Sequence, residues 1–146
     1  MIQEGIYDPR NRVNDLTGKE WLQLSKSVWV SEKCAEDKEA FKHPAPFLIK
    51  DVQKLIKLFT KRGMVVLDPF NGSGTTLIAS SLENRKPIGI DLSKKYCKLT
   101  QSRLNKLKLK NYKIIKGNSL KIIPKLNTNI DYCITSPPYN NILRNK

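Results

Sequence analysis

The residues best suited to chemistry form a tetrapeptide near the end of the chain, Ser136, Pro137, Pro138 and Tyr139. The Ser136 hydroxyl and the Pro137 carbonyl are two hydrogen-bond acceptors, and consecutive prolines fix the backbone that carries them. Acceptors held out of the plane of a conjugated amino group draw its nitrogen towards tetrahedral geometry and free its lone pair. The ring of Tyr139 offers a flat face on which a base can stack. The alternative interpretation is a plain Pro-Pro turn at the end of a strand.

A glycine-containing loop is the second candidate site. It follows the apolar, β-branched run 64–67 and comprises Asp68, Pro69, Phe70, Asn71, Gly72, Ser73, Gly74 and Thr75. Glycines at such a turn let the backbone approach a ligand closely. No Gly-Lys-Ser/Thr follows, and Leu77 stands where a dinucleotide fingerprint has its third glycine. Neither a phosphate-binding P-loop nor a complete dinucleotide motif is therefore indicated.

Asp91 ends the next predicted strand and complements the loop. A carboxylate there can accept both ribose hydroxyls of a nucleoside. Asp68 would repel a pyrophosphate but attract the ammonium or sulfonium group of a nucleoside that carries an amino acid. S-adenosylmethionine is such a ligand. The competing interpretation is that each aspartate caps the helix that follows it.

The elements that must position these residues alternate along the chain. Apolar runs predict strands at 64–67, 88–90, 112–116 and 132–135, and periodic patterns predict helices at about 48–59, 76–83, 93–107 and 120–126. Alternation of this kind predicts an α/β fold with a mostly parallel sheet and helices on both faces. Ligands of such sheets bind at the carboxyl ends of the strands, where both candidate sites lie.

The part before the first predicted helix has a different composition. The first 30 residues or so are predicted to be irregular, and the charged stretch 31–42 to be a solvated loop or a short helix. The prolines that follow His43 force an extended approach to the helix. We therefore divide the chain into a lead-in segment, 1–42, and a part that binds the ligand and carries the tetrapeptide, 43–146.

The loop resembles the cofactor motif of the DNA amino-methyltransferases, and the likeness extends over about residues 18–140. The resemblance implies a Rossmann-like fold, S-adenosylmethionine as the cofactor and DNA as the substrate. It also implies that the loop surrounds the methionine part, with Phe70 packed beside the cofactor, and that the segment with His43 and Pro44 helps to hold the same end. Asn118 stands where the family usually has an aspartate that contacts the adenine.

The tetrapeptide is similar to the catalytic motif of the same family. Its serine form favours cytosine N4 over adenine N6 as the methylated atom, and both stay open. The family's sheet has seven strands, and about four can be assigned here. The sequence is therefore expected to be an N-terminal portion of a restriction-modification enzyme, ending just after the tetrapeptide. It would be active only with the missing part, or with a second polypeptide that completes the sheet and supplies target recognition.

Other functions remain as alternatives. Related motifs occur in amino-methyltransferases that act on RNA or on protein glutamine, and the chain could also be a cofactor-binding subunit or remnant without activity of its own. Methylation at cytosine carbon 5 is excluded, because it needs a Pro-Cys pair after the fourth strand. Cys133 lies within that strand and no Pro-Cys pair occurs.

The composition agrees with a nucleic-acid partner. Lys and Arg number 27 against 13 Asp and Glu, a formal charge of +14, although a biased genome composition can also produce a lysine-rich surface. One histidine and three scattered cysteines predict neither a metal site nor a disulfide framework. No apolar run is long enough for a membrane span and no secretory signal is visible, which predicts a cytoplasmic protein without membrane contacts.

Overall fold

The computed structural model describes residues 8–137. The helices are α1 (Gly18–Leu24), α2 (Ile49–Phe59), α3 (Thr75–Leu82), α4 (Lys94–Lys106) and α5 (Ser119–Ile122). The strands are β1 (Val65–Asp68), β2 (Lys86–Asp91), β3 (Lys113–Lys116) and β4 (Tyr132–Cys133). Short 3-10 helices cover Ala35–Asp37, Ala40–Lys42 and Ile123–Lys125.

The described strands form one sheet in the order β3-β2-β1-β4, and every pairing is parallel. Asp68 lies opposite Gly89, and Asp91 lies opposite Lys116, so the strand ends are in step along one edge. Parallel strands require crossover connections, and the helices supply them. The predicted α/β class, the Rossmann-like sheet and the four assigned strands are confirmed.

Apolar side chains pack on both faces of the sheet. On one face Val66 packs with the fully buried side chains of α2, α3 and α4, which are Val52, Ile56, Leu77, Ile78 and Leu104. On the other face Leu67, Ile88 and Ile90 pack against residues 122–130. Each fully buried aliphatic side chain contributes about 1.5–3 kcal/mol. These two clusters hold the carboxyl ends of the strands in place.

Helix α2 forms as predicted, but its buried face is shifted from the one that the spacing of Leu48, Val52, Leu55, Ile56 and Phe59 predicts. Val52 and Ile56 are fully buried, whereas Phe59 is 47% exposed and stacks on Tyr132 with ring centroids 5.9 Å apart. Leu58, outside the predicted face, is buried. The lead-in lies against this side of α2, where the Asn14 amide donates a hydrogen bond of 2.8 Å to the Leu58 carbonyl.

The lead-in is more ordered than predicted. Thr17 and Glu20 form a capping box that starts α1, a local signal that the prediction of an irregular segment missed. The charged stretch is not wholly solvated, because Asp37 is fully buried. Its Oδ1 accepts a hydrogen bond of 3.0 Å from the Ile49 amide, and its Oδ2 accepts one of 2.9 Å from the Cys34 amide. Asp37 thereby satisfies a donor at the start of α2.

None of the helices within residues 8–137 has the length and apolar character that crossing a membrane requires. In the same part of the chain, no three His, Cys, Asp or Glu residues lie close enough together to hold a metal ion.

Candidate active site

The candidate residues gather at the carboxyl edge of the sheet. Asp68 ends β1, Asp91 ends β2, Asn118 follows β3, and Ser136 follows β4. A shallow cleft, open to solvent, lies at the end of β1. It is lined by His43, Ala45, Pro46, Phe47, Asp68, Phe70, Asn71, Gly72, Ser73, Thr75, Thr76 and Ser136. The structure thus brings together the loop, the segment before α2 and the first residue of the tetrapeptide.

Two glycines give the loop its shape. Gly72 and Gly74 have φ of +52° and +81°, the left-handed region that favours glycine. A Cβ on Gly72 would lie 3.1 Å from Nε2 of His43, and one on Gly74 would overlap the side chain of Thr100. The loop therefore needs glycine at both positions, for backbone conformation and for space.

Asp91 binds the loop from the end of β2. Its Oδ2 accepts a hydrogen bond of 2.7 Å from the Gly72 amide, and its Oδ1 accepts one of 2.8 Å from the Ser93 amide. The N-cap of α4 is Ser93, so the alternative that Asp91 caps this helix is wrong. The side chain is half-buried, and each carboxylate oxygen has a second lone pair that can accept a hydroxyl.

Asp68 connects the loop with the tetrapeptide. Its Oδ1 accepts hydrogen bonds from the Thr135 hydroxyl at 2.7 Å and from the Phe70 amide at 3.1 Å. Thr135 directly precedes Ser136, so one buried carboxylate fixes both candidate sites. The helix after the loop begins at Gly74 as its N-cap, which excludes Asp68 as the cap of α3. Sequence reasoning missed this bond between distant segments.

Burial raises the pKa of Asp68, whose side chain is 2% exposed. The hydroxyls of Thr76 and Thr135 and the Phe70 amide favour the carboxylate, but desolvation outweighs them, and the charge of Asp91 adds to the increase. Because the pKa of Asp68 is higher in the folded state than in the unfolded chain, the group favours folding fully at a pH below the ordinary pKa of the carboxyl. This contribution to stability is lost as the pH rises through the pKa of the folded state. The ionised form therefore costs folding free energy at neutral pH.

His43 covers the glycine loop as a neutral ring. Its Nδ1 accepts a hydrogen bond of 3.3 Å from the Ala45 amide, and its ring meets the Tyr96 ring edge-on with centroids 4.6 Å apart. Burial lowers the pKa of His43. The hydrogen bond with Ala45 and the nearby charge of Asp91 raise it, but by less. Pro44 is exposed and does not line the cleft.

Other candidate residues lie outside the cleft. Asn118 is exposed, and its Oδ1 accepts a hydrogen bond of 3.0 Å from the Leu120 amide at the start of α5. The neighbouring Ser119 hydroxyl donates to the Pro69 carbonyl, which joins this strand end to the loop. Pro137 is exposed, and Pro138 and Tyr139 lie outside the described residues.

Helix α4 holds the loop from behind, through residues that sequence reasoning did not assign to the site. The Asn71 amide donates to Thr100 Oγ1 at 2.9 Å, and the Thr100 hydroxyl donates to the Gly72 carbonyl at 3.2 Å. Arg103, one turn later, donates to the Ser73 carbonyl at 2.6 Å. The spacing of Tyr96, Thr100, Leu104 and Leu107 predicts that Thr100 lies on the inner side of α4. Arg103 follows Thr100 at i+3 and so lies on the same side, a signal that its charge obscured.

Replacing Asp68 with asparagine is expected to raise the midpoint of thermal unfolding at pH 7. The amide can accept the same hydrogen bonds without the desolvation cost of a buried charge. The difference between variant and parent should shrink as the pH falls from 7 towards the ordinary pKa of an aspartate, and scanning calorimetry at pH 7 and pH 4 measures it. An equal difference at the two pH values, or a lower midpoint at pH 7, would contradict this.

The fold is that of an α/β methyltransferase domain. TrmN from Thermus thermophilus superimposes with a TM-score of 0.60 at 22% identity, over 73% of this chain and 32% of that one. A candidate DNA modification methylase, also from Thermus thermophilus and solved in complex with S-adenosyl-L-methionine, superimposes with a TM-score of 0.54 at 26% identity. That likeness covers 70% of this chain and 39% of the other.

Residues 4–102 match the family of N6 and N4 DNA methylases, and residues 60–145 match a methyltransferase domain. The chain belongs to the DNA methylase family. The predicted family is thereby confirmed, and S-adenosylmethionine, the predicted cofactor, is the methyl donor of that family.

Curated relatives are considerably longer than this chain. The orphan methyltransferase M.BamHII of Bacillus amyloliquefaciens is 44% identical over 84 residues, which are 58% of this chain and 30% of the relative. The type II methyltransferase M2.DpnII of Streptococcus pneumoniae is 37% identical over 99 residues, which are 67% of this chain and 35% of the relative. The chain thus spans about a third of the length of these relatives.

Proposed function

We propose that this chain binds S-adenosylmethionine in the cleft and presents Ser136 to the amino group that receives the methyl. The observation that carries the proposal is that Ser136 and the glycine loop line one cleft. Among residues 8–137, those that line it include no lysine and no arginine. A cleft with a buried aspartate and no cation suits a ligand with an ammonium and a sulfonium group better than a phosphate.

The strand ends suggest how the ligand is held. Asp68 and the loop face the amino-acid part, with Phe70, 47% exposed, as an apolar surface beside it. Asp91 accepts the ribose hydroxyls through its remaining lone pairs. Asn118 lies nearest the adenine end, where its backbone or amide nitrogen makes the contact because its side-chain oxygen already caps α5. Pro44 positions His43 rather than touching the ligand.

The chemistry assigned to the tetrapeptide is preorganised acceptance of hydrogen bonds. S-adenosylmethionine supplies the methyl group when bound. The Ser136 hydroxyl and the Pro137 carbonyl accept hydrogen bonds from the N–H groups of the target amino group. The lone pair of its nitrogen then becomes available to attack the methyl group. Pro138 keeps this backbone rigid, and Tyr139 stacks on the extruded base. The bond from Thr135 to Asp68 fixes these acceptors relative to the loop.

We propose DNA as the substrate, with cytosine N4 as the methylated atom in preference to adenine N6. The type II and orphan methyltransferases among the relatives support DNA and a role in a restriction-modification system. The formal charge of +14 favours a polyanion. The serine form of the tetrapeptide supports cytosine by resemblance.

We assign the recognition of a target DNA sequence to residues outside the region that this chain shares with its relatives. The relatives are about three times as long as the region they share with this chain. We propose that the reading of a DNA sequence resides on a further segment or on a second polypeptide. Within the described chain, the part from 43 onwards carries the site, and the lead-in, 1–42, braces it through contacts such as that of Asp37 with Ile49.

Replacing Asp91 with alanine is expected to weaken S-adenosylmethionine binding by about 1–3 kcal/mol, because a ribose acceptor is lost. The loop also loses its bond from the Gly72 amide. Isothermal titration of the folded variant measures the effect. Asp131→Ala is a matched control, since Asp131 also accepts a backbone amide hydrogen bond, from Val65, but lies away from the cleft. Equal affinity in parent and Asp91→Ala would remove Asp91 from the site.

The proposed reaction is tested by incubating the chain, alone and with the product of the adjacent gene, with methyl-labelled S-adenosylmethionine and duplex DNA. Nucleoside analysis by mass spectrometry should find N4-methylcytosine. N6-methyladenine would reassign the base, and label in RNA or protein glutamine would reassign the substrate. Binding of the cofactor without transfer to any of these would favour a cofactor-binding subunit.

A further inference from the structure

The buried side chain of Arg103 joins two segments that are far apart in the sequence. It is 3% exposed and lies on α4, behind the glycine loop. Its Nη1 donates to the Ser73 carbonyl at 2.6 Å and to Thr75 Oγ1 at 3.2 Å. Its Nη2 donates to the Glu36 carbonyl at 3.1 Å. One rigid guanidinium fork thus holds the loop and the lead-in together.

The two loop residues that Arg103 binds flank Gly74, whose φ is +81°. Ser73 and Thr75 also line the cleft. Arg103 therefore holds the backbone before the left-handed residue, at the Ser73 carbonyl, and the side chain after it, at the Thr75 hydroxyl, while Arg103 itself does not line the cleft. Thr100 fixes Asn71 and Gly72 in the same way.

The guanidinium of Arg103 is buried, and its hydrogen-bond partners are all uncharged. Within residues 8–137 no carboxylate lies within 4 Å of its guanidinium, and its buried Nε has no hydrogen-bond partner. Desolvation lowers the pKa of Arg103. The charges of Asp37 and Glu39 act on the guanidinium from a greater distance and raise its pKa by less, but its direct hydrogen bonds go to carbonyl and hydroxyl oxygens. The planar guanidinium of Arg103 thus fixes the positions of the oxygens to which it donates, those of Ser73, Thr75 and Glu36.

We propose that Arg103 is a positioning residue for the methionine part of the cofactor. It acts through Ser73 and Thr75, whose positions it sets, and it makes the lead-in around Glu36 part of the support of the cofactor site. The inference rests on the proposed function, because it assumes that the loop binds the amino-acid end of S-adenosylmethionine.

Arg85 provides a control that differs from Arg103 in having a carboxylate, that of Asp15, 4.0 Å from its Nη2. It is also buried, at 6% exposed, and it also donates to protein oxygens, with Nε to Thr60 Oγ1 at 2.8 Å and Nη2 to the Thr60 carbonyl at 2.6 Å. It lines no part of the cleft. A variant of Arg85 therefore reports the cost of removing a buried guanidinium without changing the loop.

The experiment compares Arg103→Met, Arg103→Lys and Arg85→Met with the parent chain. Affinities for S-adenosylmethionine, S-adenosylhomocysteine and adenosine are measured by titration, and stability by thermal unfolding. Arg103→Met should raise the Kd for the two methionine-bearing ligands by about tenfold or more, since charged hydrogen bonds that order the loop are lost. The Kd for adenosine, which lacks the methionine part, should change by less than about threefold. The Kd values of Arg103→Lys for S-adenosylmethionine and S-adenosylhomocysteine should lie between those of the parent and those of Arg103→Met.

Arg85→Met should lower the unfolding midpoint but leave all three Kd values of the folded protein within about twofold of the parent. An unchanged Kd for S-adenosylmethionine in folded Arg103→Met, or an equal loss for adenosine, overturns the inference. If Arg103→Met does not fold, Arg103→Lys decides by the same criteria. A parent chain that binds no S-adenosylmethionine overturns the proposed function instead. The amide resonances of Gly72 and Gly74 then still report whether Arg103 shapes the loop, and unchanged resonances in Arg103→Lys count against it.

Discussion

Replacement of Ser136 with alanine is expected to lower the rate of methyl transfer by about 100-fold or more, with little change in cofactor affinity. Loss of one preorganised hydrogen-bond partner at a reacting group typically costs about 10²–10³ in rate. Ser136 lies at the cleft, and Thr135 ties it to the buried Asp68. The chain that carries this hydroxyl is therefore tied to the buried carboxylate, through its neighbour Thr135, before the substrate arrives.

The measurement is single-turnover transfer of labelled methyl to DNA by the active assembly that contains this chain. Titration with S-adenosylmethionine measures affinity in parallel. Ser102→Ala, at an exposed position on α4, is the control and should behave as the parent. Rates within about twofold of the parent in Ser136→Ala would remove this hydroxyl from the chemistry.

Replacement of Gly74 with alanine is expected to weaken S-adenosylmethionine binding by more than about tenfold and to lower the stability of the folded chain. A left-handed φ costs a non-glycine residue about 1–2 kcal/mol. The added Cβ would also overlap Thr100, and overpacking of a buried site costs about 1–3 kcal/mol more. The loop must shift to relieve both, and the cleft changes shape with it.

The variant Gly63→Ala separates the cost of backbone strain from the cost of overpacking. Gly63 has the same φ of +81°, but a Cβ there would meet no atom within 4 Å. This variant should lose some stability through backbone strain alone and keep the cofactor affinity of the parent. Calorimetry and titration of both variants test the difference. If Gly74→Ala binds the cofactor as tightly as Gly63→Ala, the close packing of the loop on Thr100 has no part in binding.

The sequence predicts the sheet and the site edge well because both depend on local patterns. The buried parallel strands are short apolar runs that end at Asp68 and Asp91, and parallel order brings such ends to one edge. The glycines of the loop carry their own signal, since a turn into a helix at the end of a strand often needs positive φ.

Contacts between distant segments could not be predicted in this way. The bond from Thr135 to Asp68 and the one from Arg103 to the Glu36 carbonyl each span 67 residues, and no periodicity records them. A buried arginine and the buried Asp37 also oppose the general rule that charged residues lie on the surface. The α1 helix differs from these, because its capping box is a local pattern that could have been used.

A crystal structure of the chain with S-adenosylhomocysteine tests the central claim most directly. It should show the amino-acid part against residues 70–75 and His43, the ribose hydroxyls on the carboxylate of Asp91, and the sulfur directed towards Ser136. A ligand bound elsewhere, or with its adenine in the glycine loop and its ribose away from Asp91, would contradict the proposed site.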